Sequence, residues 1–112
     1  MNIQQISEDF SITSQVHPEH MKALAENGIR AIICNRPDGE EFGQPSFDIV
    51  QTAAKAAGIQ MRYVPIVHGA AGLAEFTAFG EALKTLPAPI LGYCRSGMRS
   101  ASMYSAVTEK TG

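Results

Sequence analysis

Cysteine is scarce in this 112-residue chain. The two present, Cys34 and Cys94, are too few for a disulfide framework, so a reducing, cytoplasmic setting is the expectation. An excess of basic charge is missing too. Nine Lys+Arg against eleven Asp+Glu give a formal charge of −2, and no broad positive field exists to draw in nucleic acid. No apolar run approaches the ~18 residues of a membrane span. The opening MNIQQISEDF has neither the basic start nor the apolar stretch of a secretory leader. No linker, low-complexity tract or convincing tandem repeat interrupts the chain. What is there is 45% apolar and 18% charged, the balance of one globular domain over residues 1–112. A chain of this length buries a core without a metal or disulfide staple.

Periodicity sketches the elements. Residues 3–6 and 10–14 are short β candidates around the turn Ser7-Glu8-Asp9. Helices are expected over 18–27, 46–57, 73–85 and 99–109, and strands over 30–34, 60–64 and 89–93. Pro18 suits a first helical position, and Ser46 suits an N-cap. Gly28 and Gly58 stand where a left-handed residue closes a helix before a strand. Leu73, Phe76, Phe79 and Leu83 share the expected inner face of their helix; Ala101, Tyr104 and Thr108 share one side of the last. Strands alternating with helices imply an α/β fold with a mostly parallel central sheet of four to five strands and helices on both faces. Ligand sites in such sheets lie beyond the strands' carboxyl ends, so the loops 35–45, 65–72 and 94–98 are expected to face one another.

The last of these loops carries the chemistry. An apolar strand ends at Tyr93, the run Cys94-Arg95-Ser96-Gly97-Met98-Arg99-Ser100 follows, and a helix begins. Backbone N–H groups of such a loop and the helix N-terminus together form an anion nest. Cys94 at its base is expected to have a depressed pKa, helped by Arg95 and Arg99, and to act as a thiolate nucleophile. Gly97 permits the turn. Ser100 offers a hydroxyl to the thiolate or a leaving group, and Arg99 offers a planar fork for an oxyanion. Candidate anion contacts are therefore Arg95, Ser96, Gly97, Met98 and Ser100, with Arg36 adding positive potential from a neighbouring loop.

The C-R-x-G-x-R run resembles the active loop of rhodanese-type sulfurtransferases. Over residues 3–108 the chain resembles the beta-lactamase-hydrolase-like phosphatase-like domain family, related to dual-specificity and tyrosine phosphatases. The carriers are Ile33-Cys34-Asn35-Arg36-Pro37-Asp38-Gly39-Glu40, the Ala56-Ala57-Gly58-Ile59 junction, Tyr63-Val64-Pro65 and the Cys94–Ser100 loop. The resemblance implies a small phosphatase-like fold, with Cys94 as nucleophile and anion contacts from the loop backbone and Arg99. Two departures matter. The tyrosine-phosphatase pattern sets its arginine one position further from the cysteine, so this loop has one fewer inward N–H, which leans toward a single sulfur over a tetrahedral phosphate. Those phosphatases also carry an aspartic general acid in the loop after the preceding strand. Here that loop, Pro65-Ile-Val-His68-Gly-Ala-Ala-Gly72, holds no carboxylate. His68, or Asp38 from the neighbouring loop, is the candidate acid.

Other residues have simpler readings beside functional ones. His68 also fits a solvated loop residue. Arg36 and Asp38 fit an ion pair that pins a turn, and Glu40 and Glu41 fit solvated charges. Cys34 fits a buried core thiol; as a resolving cysteine for Cys94 it would need Cα atoms within about 7 Å. His17 and His20 lack a third metal ligand. Tyr93 stands where tyrosine phosphatases carry His and, as a phenol, adds no positive charge. Three activities remain open. The first is a sulfurtransferase that forms a persulfide on Cys94 from a small sulfane-sulfur donor and passes it to an acceptor thiol. The second is a phosphatase with a cysteinyl-phosphate intermediate acting on a small anionic substrate. The third is a non-catalytic anion or redox sensor. None calls for a cofactor, a metal, nucleic acid or a membrane.

Overall fold

Four parallel strands and one antiparallel edge strand set the architecture of the computed structural model, which describes residues 1–109. The elements are β1 (Gln4–Gln5), β2 (Phe10–Thr13), a 3-10 turn (Pro18–His20), α1 (Met21–Glu26), β3 (Ala31–Cys34), α2 (Phe47–Ala56), β4 (Gln60–Tyr63), α3 (Leu73–Thr85), β5 (Ile90–Tyr93) and α4 (Met98–Glu109). The sheet order is β1-β2-β5-β3-β4, and only the β1–β2 pair is antiparallel. This is an α/β fold built on a mostly parallel five-stranded sheet. Lys110–Gly112, the end of the expected domain, lie outside the described residues. Among the described residues no helix is long and apolar enough to cross a membrane.

The direction of each crossover decides which face a helix covers. The chain moves one way across the sheet from β2 to β3 to β4, then back to β5 in the middle. Right-handed crossovers in opposite directions place their helices on opposite faces. Accordingly α1 and α2 cover one face through Met21, Leu24, Val50 and Ala54, packed on Ile32, Cys34, Leu91 and Tyr93. Helices α3 and α4 cover the other through Phe79, Ala82 and Met103, packed on Phe10, Ala31, Ile33 and Ile90. Strands β3 and β5 are buried on both faces, as strands inside a parallel sheet must be. Their following helices leave toward opposite faces, which opens a crevice at their carboxyl ends.

Local signals act as their chemistry dictates. The N–H of Ile49 donates to Ser46 Oγ at 3.3 Å, capping α2. Gly28 and Gly58, at φ of 88° and 80°, close α1 and α2 in the same way. The N–H of each glycine and of the isoleucine after it returns to carbonyls of the last turn. The first helix opens tighter than expected, as the 3-10 turn at Pro18. There the His17 N–H donates to His20 Nδ1 at 3.1 Å, so this histidine pair serves a helix start. Leu73 departs from its expected inward place and is 76% exposed. It sits in the first turn of α3, and the buried stripe of that helix begins further along, at Phe79 and Ala82.

Gly92 is the tightest point of the central strand. A Cβ there would meet the Phe10 ring at 2.8 Å and Ser100 Cβ at 3.1 Å. Phe10 cannot swing aside, because it is buried and stacks on Tyr104 with ring centroids 4.2 Å apart. Gly92→Ala is therefore expected to destabilise the fold by about 1–3 kcal/mol through overpacking. Urea unfolding checks this, with a fall in the midpoint at unchanged slope as the expected result.

Candidate active site

A cavity of about 990 Å³ lies where the sheet topology opens the crevice. Its walls come from all three loops expected to converge: Arg36, Glu40 and Glu41 after β3, Ile66 and His68 after β4, and Arg95, Ser96, Met98 and Arg99 after β5. Strand β5 turns into α4 within four residues around the sulfur of Cys94. The Gly97 N–H donates to Cys94 Sγ at 3.0 Å. Burial alone would raise the thiol pKa, but the backbone N–H groups of Ser100, Ser96, Arg99 and Gly97 outweigh it and hold the pKa below its ordinary 9.0. Gly97 has a φ of +96°, and its Cα approaches the Thr13 carbonyl so closely that a Cβ would sit 3.3 Å from that oxygen. Ser96 Oγ accepts from the Met98 N–H at 3.3 Å and so helps start α4.

The arginines are already engaged. Arg99 Nη1 donates to Glu40 Oε2 at 2.7 Å and to the Ile66 carbonyl at 2.8 Å, and its Nη2 donates to Glu40 Oε1 at 2.9 Å. Arg36, almost wholly buried, donates from Nε to Glu40 Oε1 at 3.1 Å, from Nη1 to Gln15 Oε1 at 2.9 Å and from Nη2 to Glu41 Oε1 at 2.8 Å. The hydrogen bonds from Arg99, aided by those from Arg36, hold the Glu40 carboxyl below the usual carboxylate range. Cys94 is fully buried, and the guanidinium of Arg99, which also interacts with its sulfur, lies in the cavity wall.

Sequence comparison matches residues 2–110 to the family described as beta-lactamase hydrolase-like protein, phosphatase-like domain. This chain belongs to that family. A beta-lactamase hydrolase-like protein of Xylella fastidiosa is 36% identical over 105 residues, covering 94% of this chain and 24% of the relative. The chain thus spans about a quarter of the length of the curated relatives it matches. Among solved structures, a candidate phosphatase from Neisseria meningitidis superposes with a TM-score of 0.84 at 28% identity, over 90% of this chain and 72% of that one. A candidate phosphatase from Shewanella putrefaciens gives 0.86 at 17% identity, over 98% and 72%, which is a likeness of fold. These findings favour the phosphatase alternative; none of them supports the sulfurtransferase reading.

Several expected residues of this phosphatase-like domain stand elsewhere. Asp38 does not line the cavity: its Oδ1 accepts the Phe47 N–H at 2.8 Å at the start of α2, and its own N–H donates to Tyr63 Oη at 3.0 Å. Holding a helix start removes it from the role of general acid, and it is not the ion-pair partner of Arg36. Arg95 points outward, 70% exposed at its side chain, with Nε 3.3 Å from Glu41 Oε1. The thiolate is therefore favoured by backbone amides rather than by that arginine. Ser100 contributes its N–H; its hydroxyl is buried and makes no hydrogen bond among the described residues, so it does not donate to the sulfur.

His68 does line the cavity, and Met98 borders it with a largely exposed side chain. Cys34 lies in the core under α1 and α2, where its thiol donates to the Arg36 carbonyl at 3.3 Å. Burial pushes that thiol up to about 11, in keeping with a core thiol. Among the described residues no group of three or more His, Cys, Asp or Glu could hold a metal. Glu40 is the residue that sequence reasoning missed. The signal was faint: two glutamates four and five positions after an arginine at a buried strand's end.

Ionisation of Cys94 is directly measurable. The ultraviolet thiolate absorbance of wild type minus that of Cys94→Ser is expected to titrate below 9.0, with Cys34 ionising separately near 11. The sign for stability follows: a depressed thiol pKa stabilises the fold fully above 9.0, and that contribution is lost as pH falls through the folded value. A difference midpoint at or above that of free cysteine would show that the amide ring does not govern the sulfur.

Proposed function

We propose that this domain is a cysteine-dependent phosphatase acting on small phosphomonoesters. One observation carries the reading. Beside a thiolate ringed by amides, Arg99 grips two oxygens of a carboxylate in the bidentate manner suited to two oxygens of a phosphate. The family and the Neisseria structure support the same reading. In the proposed reaction, Cys94 Sγ attacks phosphorus in line with the ester oxygen. The S–P bond forms, the P–O bond breaks, and the departing oxygen takes a proton. Non-bridging oxygens rest on the loop N–H groups and on Arg99, which stabilise the charge that builds there. His68 is the cavity residue suited to supply the proton, since Glu40 is held ionised and Asp38 is committed to α2. Water then cleaves the S–P bond, phosphate departs and the thiolate is restored.

Sulfur transfer is the second reading. The short span from Cys94 to Arg99 and the lack of a carboxylic acid poised to protonate an alkoxide favour it. Cys94 would attack the outer sulfur of thiosulfate. A new S–S bond forms, the old one breaks, and sulfite leaves with the electron pair without needing a proton. The outer sulfur then passes to cyanide or to an acceptor thiol.

Paired assays separate the readings. With p-nitrophenyl phosphate, wild type is expected to release phosphate and Cys94→Ser none. Arg99→Lys should lose about 100-fold in kcat/KM, because an ammonium cannot reproduce the planar fork, while Arg95→Ala should change little. Thiocyanate from thiosulfate and cyanide, lost in Cys94→Ser and without phosphate release, would replace the first reading by the second. Activity in neither assay, with a persulfide mass shift on Cys94, would point to a sensor.

A further inference from the structure

Glu40 occupies a two-nitrogen fork of Arg99 of the kind suited to an oxyanion. Both of its carboxylate oxygens lie on Arg99, at 2.7 and 2.9 Å, and one of them also accepts from Arg36 at 3.1 Å. Nη1 is fully engaged, by Glu40 and by the Ile66 carbonyl, and Nη2 also donates to Glu40. The buried Cys94 sulfur lies next to the same guanidinium. An oxyanion that takes this same Nη1–Nη2 fork therefore has to displace Glu40. Charge leads to the same place. Three arginines line the cavity beside two glutamates, whose charges cancel most of theirs. A dianion entering the closed arrangement meets little net attraction.

Arg36 makes the opening reversible. Its side chain is 5% exposed and is held by Gln15 and Glu41 as well as by Glu40. When Glu40 leaves Arg99, a fixed cation remains to receive it. We propose that Glu40 is an internal competitor for the oxyanion position, a specificity-determining carboxylate that releases Arg99 only to ligands that outbid it and then rests on Arg36. The inference rests on the reading of Cys94 and Arg99 as an oxyanion site. It holds whether phosphoryl or sulfur transfer follows. A residue that only buttressed Arg99 would act with the opposite sign: its loss would loosen the fork and weaken anion binding, whereas loss of a competitor strengthens it.

The test measures inorganic phosphate binding by calorimetry at pH 7 and constant ionic strength, with p-nitrophenyl phosphate kinetics alongside. Glu40→Gln keeps the shape and removes the charge, and is expected to bind phosphate about tenfold tighter than wild type. Its KM should fall by more than its kcat changes. Glu40→Asp keeps the charge but is too short to span both arginines, and is expected to fall between the two; it carries the sign of the test should Glu40→Gln not fold. Glu41→Gln removes the same charge from Arg36 and Arg95 without touching Arg99, and is expected to shift affinity less than twofold. Unchanged or weaker binding in both Glu40 variants overturns the proposal, as does equal tightening by Glu41→Gln. Tighter phosphate binding without turnover in any variant sustains the competitor and sinks the phosphatase reading. Turnover with unaltered affinity does the reverse.

Discussion

The reversal of chain direction around one sulfur is the constraint on which the site depends. Strand β5 ends at Tyr93 and α4 begins at Met98, so the backbone must turn around Cys94 at the centre of the sheet. That turn brings the Gly97 N–H to 3.0 Å from Sγ and, with the N–H groups of Ser96, Arg99 and Ser100, holds the thiol pKa below 9.0 in a place where burial alone would raise it. The surroundings serve the same turn. Gly97 takes the left-handed conformation beside the Thr13 carbonyl, and Gly92 leaves the room that Phe10 and Ser100 fill. Helix α4 can start this close to the strand only because the strand beneath its first turn carries no side chain at that point.

Charge around this centre is arranged more tightly than a surface cavity requires. Arg36 lies in the loop after β3 and Arg99 in the first turn of α4 after β5, and Glu40 spans both. Exposed ion pairs contribute little to stability, but Arg36 is nearly buried, and a buried guanidinium left unpaired would be costly. The carboxylates thus have a folding role as partners of a cation taken out of water. They also occupy the groups that would bind substrate, so one set of contacts bears on both stability and anion selection. Phosphoryl and sulfur transfer place different demands on this arrangement: the first needs Arg99 freed and a proton supplied, the second chiefly needs the sulfur reached.

The order of helices and strands was readable because each rests on neighbours in sequence. The glycine closures at Gly28 and Gly58, the Ser46 cap and the paired apolar faces of β3 are local devices, and they stand where the pattern placed them. The face that a helix presents was less secure: Leu73 obeys the period yet lies in the exposed first turn. Convergence of the three loops followed from topology alone. The partners of Asp38 and Glu40 did not, since nothing in Asp-Gly-Glu-Glu says which carboxylate turns to the Phe47 N–H and which to Arg99.

By itself, then, the amino-acid order determined a parallel α/β sheet, a cysteine at a strand-to-helix turn and a depressed thiol pKa, because periodicity and backbone dipoles act over a few residues. Only the tertiary structure decided that Arg95 looks outward, that Cys34 is a core thiol and that Glu40 closes on Arg99. Those outcomes depend on distances between loops separated by about sixty positions in the chain, and such distances are set by how the strands are ordered and how their helices pack.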